Sequence, residues 1–139
     1  MPRFAVFALI AAVALALPAS AAAGRKAPVH KITQSPSYLM IEPIYTTIMD
    51  GEHTDGLLMI GIGLDVPDPA LRAEAETAMP VLRDVYVRSL MAFTATSVRF
   101  WQQPDVGAIA DRLQRATDLA LGRPGARVLL AQVAMRLTH

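Results

Sequence analysis

The chain has 139 residues, 13 basic against 12 acidic, and a formal net charge of +1. That length suits one domain, and that balance leaves no cationic excess for a nucleic-acid backbone. It has no cysteine, so its core must hold without disulfides and no thiol is available as a metal ligand.

Met1-Pro2-Arg3 is a short positive start, and Phe4 to Leu17 is an unbroken apolar run of 14 residues. Pro18 breaks the run. Ala19-Ser20-Ala21-Ala22-Ala23 follows and offers signal-peptidase sites at Ala19, Ala21 and Ala23. A 14-residue helix rises about 21 Å, short of a hydrocarbon core of about 30 Å. Residues 1–23 are therefore expected to be a cleaved secretory signal, with an uncleaved anchor as the alternative, since counting on to Ala23 gives 20 residues. Removing the segment removes Arg3 and brings the net charge to zero. The expected location is the periplasm, or the inner membrane facing the periplasm if the signal stays; only then is the membrane a partner.

Residues 24–37 (GRKAPVHKITQSPS) carry two prolines and little periodicity, and read as an extended linker. Tyr38 to Met49 is rich in isoleucine, tyrosine and threonine and reads as a strand. Pro43 has no N–H for a ladder, which predicts an edge position or a bulge. Asp50 to Gly56 holds two Asp-Gly pairs, a turn signal. Leu57 to Val66 is a second strand, with Leu58, Ile60, Ile62, Leu64 and Val66 on the core face. Gly61 and Gly63 leave its other face low, open to close approach by a neighbour.

Asp68 is the expected N-cap of a helix with Pro69 at its first position. Leu71, Ala75, Met79, Leu82, Tyr86, Leu90 and Phe93 recur at helical spacing, with Pro80 kinking or splitting the helix. Arg72–Glu76 and Asp84–Arg88 are expected to pair outside. Ser97 to Pro104 is a connector. Asp105 caps a further helix to Leu121, with Asp111–Arg115 paired outward; Gly122 ends it and Pro124 prevents its resumption. Ala126 to Leu137 is the closing strand, with Leu129, Ala131, Val133, Met135 and Leu137 alternating against Val128, Leu130, Gln132, Ala134 and Arg136. The expected fold class is α+β: a three-stranded antiparallel or mixed sheet with two helices on one face, in the order β-β-α-α-β, over residues 38–139.

Ile41-Glu42-Pro43-Ile44 before an apolar strand, Leu57 to Asp68 as a strand ending in an acidic pair, and Met79-Pro80-Val81-Leu82-Arg83-Asp84 opening a helix resemble the periplasmic domain of FliL, the flagellar basal-body-associated protein. Pro80, Arg83 and Asp84 are the sharpest match. The chain departs from that family in its cleavable signal and in reading Thr47-Ile48 where Asn-Leu is usual. It is also similar to short exported proteobacterial proteins of no known function, through Val66 to Arg72 and Leu121 to Arg127. FliL-type domains resemble the ring-forming stomatin fold and assemble around the stator units of the motor. The resemblance implies a non-catalytic interaction protein, a FliL-like α+β domain whose partners are stator or basal-body components, and a homo-oligomer.

No residue pattern points to an enzyme, a cofactor or a metal. His30, His53 and His139 are scattered, without metal-ligand spacing. Asp50, Glu52, His53 and Asp55 crowd one turn but lack a calcium-loop order. No serine has a Gly-x-Ser-x-Gly setting, and Gly61-x-Gly63 lacks the rest of a dinucleotide motif. Arg99, Phe100 and Trp101 are the candidate interface, since tryptophan beside arginine is typical of interface anchors; the alternative is that Phe100 and Trp101 cap the end of the core. Arg123, Arg127 and Arg136 read as surface charges. The rival function is an exported single-domain carrier of a small apolar ligand between sheet and helices.

Overall fold

The computed structural model describes residues 32–138. The signal reading, with Ala19, Ala21 and Ala23, most of the linker, His30 and His139 lie outside the described residues.

A 3-10 turn at Ile32–Gln34 leads into β1 (Tyr38–Asp50) and β2 (His53–Asp65). Then come α1 (Pro69–Thr77), α2 (Met79–Ser97), α3 (Val106–Leu121) and β3 (Arg127–Leu137). Both strand pairings are antiparallel and the sheet order is β1-β2-β3, so β2 is central and nothing in the sheet is mixed. Asp50 pairs with His53, leaving a two-residue turn with Gly51 at φ 60. A glycine at the first central position is what a type II′ turn requires. The turn is thus shorter than the sequence suggests: the second Asp-Gly pair, Asp55-Gly56, lies inside β2, where the register shifts.

The two helices expected from the sequence are three. Asp68 caps α1 by accepting from Ala70 N–H (3.1 Å), with Pro69 in the first turn. Ala78 closes α1, its N–H donating to Glu74 O at 2.8 Å. Pro80 then falls in the first turn of α2, where a missing N–H costs nothing. Asp105 caps α3 through Ala108 N–H (2.9 Å), and Gly122 ends it in the left-handed region at φ 71. Of the three outward i,i+4 pairs expected, Asp84–Arg88 forms. Arg72 turns away from Glu76 and donates to Pro36 O at 2.8 Å, tying the incoming chain to α1.

The three helices cover one face of the sheet. Leu58, Ile60, Ile62, Leu64 and Val66 are at most 1% exposed. They pack under Leu71, Leu82, Tyr86, Leu90, Ile109 and Leu113, with Ile41, Ile44 and Ile48 beside them. Each such side chain contributes about 1.5–3 kcal/mol on burial. Two hydroxyl pairs lie inside this apolar layer: Thr46–Thr94 at 2.7 Å and Tyr86–Thr117 at 2.6 Å. Thr117 spends its one hydroxyl proton on Leu113 O (2.7 Å), so Tyr86 donates to Thr117.

Both flanking strands bulge beside Gly61. Ile41 and Ile44 pair with Ile62 and Ile60, so Glu42 and Pro43 together oppose Gly61. Pro43 therefore sits both on an edge strand and in a bulge, as a residue without an N–H should. On the other side Gln132 pairs with Gly61 and Leu130 with Ile62, leaving Ala131 as the extra residue. That insertion overturns the strict alternation expected for β3. Val128 and Leu130 face the core before the bulge, Val133 and Met135 after it.

On the helix-free face the Tyr38 ring covers Gly63; a Cβ there would lie 2.3 Å from the phenol oxygen. We expect Gly63→Ala to cost about 1–3 kcal/mol by overpacking, and Tyr38→Ala to relieve most of it. Chemical denaturation of the double-mutant cycle reads this as a coupling between the two sites. Burial, the largest influence, raises the Tyr86 phenol above its ordinary value, with Asp118 adding to the rise and the Thr117 hydrogen bond opposing it. The unfolded chain then loses this proton first. The resulting stability is intact below the ordinary tyrosine range, near pH 10, and declines as pH rises through the higher folded value. Tyr86→Phe should remove this component from an alkaline unfolding profile followed by circular dichroism.

Candidate interaction site

Two of the three stretches that carry the resemblance meet in space. The β1 bulge turns the Glu42 carbonyl toward α2, where Arg83 Nη1 donates to it at 3.3 Å and lies 3.4 Å from the Glu42 carboxylate. A bulge frees a carbonyl from its ladder, and this arginine occupies it. Met40, Ile41, Glu42, Met79, Pro80 and Arg83 surround a surface hollow of about 380 Å³. Asp84 faces away, to Arg88 on the next turn. The Arg83–Glu42 pair is well exposed, so its role is to fix the bulge geometry more than to stabilise the fold.

Arg99, Phe100 and Trp101 leave the C-terminus of α2. Arg99 Nη1 donates to Val98 O (2.9 Å) and Nη2 to Thr96 O (3.4 Å). A cation is favourable at the unpaired carbonyls of a helix end. Phe100 and Trp101 do not cap the core. Their rings meet edge to face, centroids 4.6 Å apart, and Trp101 is 66% exposed. With Met49, Asp50 and Gly51 of the hairpin tip they border a hollow of about 220 Å³.

The late arginines separate. Arg123 bonds Glu74 at 2.9 Å and lies 3.8 Å from Asp68, linking the α3–β3 turn to α1. Arg127 bonds Asp65 at 3.2 Å across the sheet, and Ser37 holds the other oxygen of Asp65 at 2.7 Å. Arg136 makes no ion pair among the described residues. It stands on the helix-free face beside Tyr45, Leu57, Met59 and Ala134, around a hollow of about 340 Å³.

That face is the surface sequence reasoning passed over. Met40, Tyr45, Met49 and Leu57 are all exposed on it, with Met59 half-buried between Tyr45 and Ala134 in the ladder. The space between sheet and helices, in contrast, is filled by the core side chains. Asp50, Glu52, His53 and Asp55 are strung along the tip and first rungs of the hairpin. Among the described residues no three acidic or histidine side chains gather as a metal site, and no described helix is long and apolar enough to cross a membrane.

Compared with models of known protein families and with curated proteins, the chain matches none.

Trp101→Ala should leave stability within about 0.5 kcal/mol, since Trp101 is 66% exposed and its ring meets Phe100, itself exposed, whereas Val98→Ala, three residues earlier and 1% exposed, should cost about 1–3 kcal/mol. Thermal melts of the two variants check this; equal losses would place Trp101 in the core.

Proposed function

We propose that this chain is a non-catalytic periplasmic interaction protein, accessory to the flagellar motor at its stator or basal body. The observation that carries the interaction reading is the helix-free face of the sheet, where Met40, Tyr45, Met49 and Leu57 stand in solvent. Exposed apolar side chains gathered on one face mark protein contact surfaces. The motor enters through the resemblance to FliL-type domains. It gains support from the contact between Arg83 and Glu42, which joins two of the three stretches that carry the resemblance. Phe100 and Trp101, exposed beside the hairpin tip, are a second anchor for a protein partner. Self-association belongs to the same proposal.

A clean deletion strain complemented by the gene tests the reading in soft agar. Swimming should fall with filaments still assembled, and the intact gene should restore it. Complementation by Tyr45→Glu/Leu57→Glu should fail although the protein accumulates to normal levels, because two charges on an apolar contact face oppose desolvation. Unchanged swimming at every viscosity in the deletion strain would sink the motor assignment. Full rescue by the double variant would remove the sheet face from the function.

A further inference from the structure

Among the described residues strand β3 is an open edge of the sheet, and we infer that it takes an added strand: an extended apolar segment of another protein with acidic residues at its ends. This rests on the interaction reading and names the kind of partner. The other edge is interrupted for such pairing, since β1 carries Pro43 and a bulge whose freed carbonyl Arg83 occupies. On β3, pairing has already begun within the molecule. Gln114 of α3 donates from Nε2 to Ala126 O (2.8 Å) and accepts at Oε1 from Val128 N–H (2.9 Å). Its amide thus makes the two bonds that a neighbouring strand would make.

Val128 N–H points outward, and antiparallel alternation through β2 gives Leu130, Val133 and Met135 the same outward N–H and C=O groups. The bond from Thr138 N–H to Asp55 O (2.9 Å) fits this alternation, since the odd-numbered residues of β2 face β3.

Three further features single out this edge. Val128 to Met135 are eight consecutive uncharged residues, without the inward charge or proline that protects a solvent-facing edge. No residue of β3 is fully buried, although Val128, Leu130, Val133 and Met135 pack on the core. The core is therefore unfinished on this side, and another strand would finish it. Finally, the run is bracketed by Arg127 and Arg136. In a two-fold antiparallel pairing of β3 with a second copy that keeps core-facing residues on one side, Arg127 meets the copy's Arg136. Like charges directly opposite are destabilising, while an acid-ended segment meets both arginines favourably. Strand addition of this kind draws affinity from main-chain bonds and specificity from alternate side chains.

The test uses the purified full chain and a short peptide of alternating valine and threonine with glutamate at both ends, N-methylated at every second amide so that only one edge can pair. Binding is followed by amide chemical shifts. We expect saturable shifts at Leu130, Val133 and Met135. A peptide methylated at every amide should show no saturable shifts, and lysine ends should weaken binding about tenfold or more. Val133→Pro removes an outward N–H that β2 does not use, so the fold should persist by circular dichroism, and the peptide should bind about tenfold or more weakly. Equal binding by the fully methylated peptide, or shifts on the Tyr45–Leu57 face instead, would overturn strand addition. A dimer abolished by Val133→Pro would overturn the foreign segment in favour of a second copy. None of these results depends on swimming, so a failure here leaves the motor assignment to its own test.

Discussion

The fold is registered on β2. Its core-facing residues, Leu58 through Val66, are sealed under three helices, and its two neighbours both insert an extra residue beside Gly61. A bulge bends its strand and increases its twist, and here two of them lie against one glycine. The register shift in β1 turns Glu42 to Arg83. The shift in β3 carries Val133 and Met135 back onto the core, where an unbroken alternation from Val128 and Leu130 would have pointed them away. One constraint thereby places the motif contact on one edge and the shape of the open strand on the other.

The remaining polar links locate the helices against this frame. Thr46–Thr94 ties β1 to α2, Tyr86–Thr117 ties α2 to α3, and Gln114 ties α3 to β3. Each satisfies groups that would be costly if buried alone. At the entry end, Arg72, Ser37, Asp65 and Arg127 hold the incoming chain to the first helix and the sheet. What these links leave free is one face of the sheet and one of its edges. The proposed interaction surfaces are the parts of the apolar pattern that the helical layer leaves uncovered among the described residues.

Much of this was legible in the sequence. The uniform branched face of β2, Asp68-Pro69, Asp105 and Gly122 each state a local preference that the fold obeys. Pro43 signalled an edge or a bulge, and its strand has both. What escaped depends on contacts between distant segments. Ala131 has no local signature as an extra residue; its role arises because β3 must register on β2 around Gly61. Asp55-Gly56 looks like a turn, yet only Asp50-Gly51 closes the hairpin, because pairing Asp50 with His53 already returns the chain. The break between α1 and α2 falls at Ala78, before the proline that announces it, because Pro80 fits best within a first turn. Gln114 carries no signal of its own in the sequence, and only β3 beside it gives its amide two main-chain partners. The candidate site was half visible: Arg99-Phe100-Trp101 stood out by composition, but the apolar helix-free face did not. Methionine, tyrosine and leucine have the composition of a core, and only the layer count shows that no described element covers them.

Native-state hydrogen exchange, residue by residue, tests the central claim that the β3 edge of this sheet is unfinished. The account predicts slow exchange for the β2 amides and for Val128, whose N–H is held by Gln114. It predicts fast exchange, near that of exposed chain, at Leu130, Val133 and Met135 in the isolated protein. Protection at those three positions equal to that of β2 would mean that the edge is already paired, and would contradict the account.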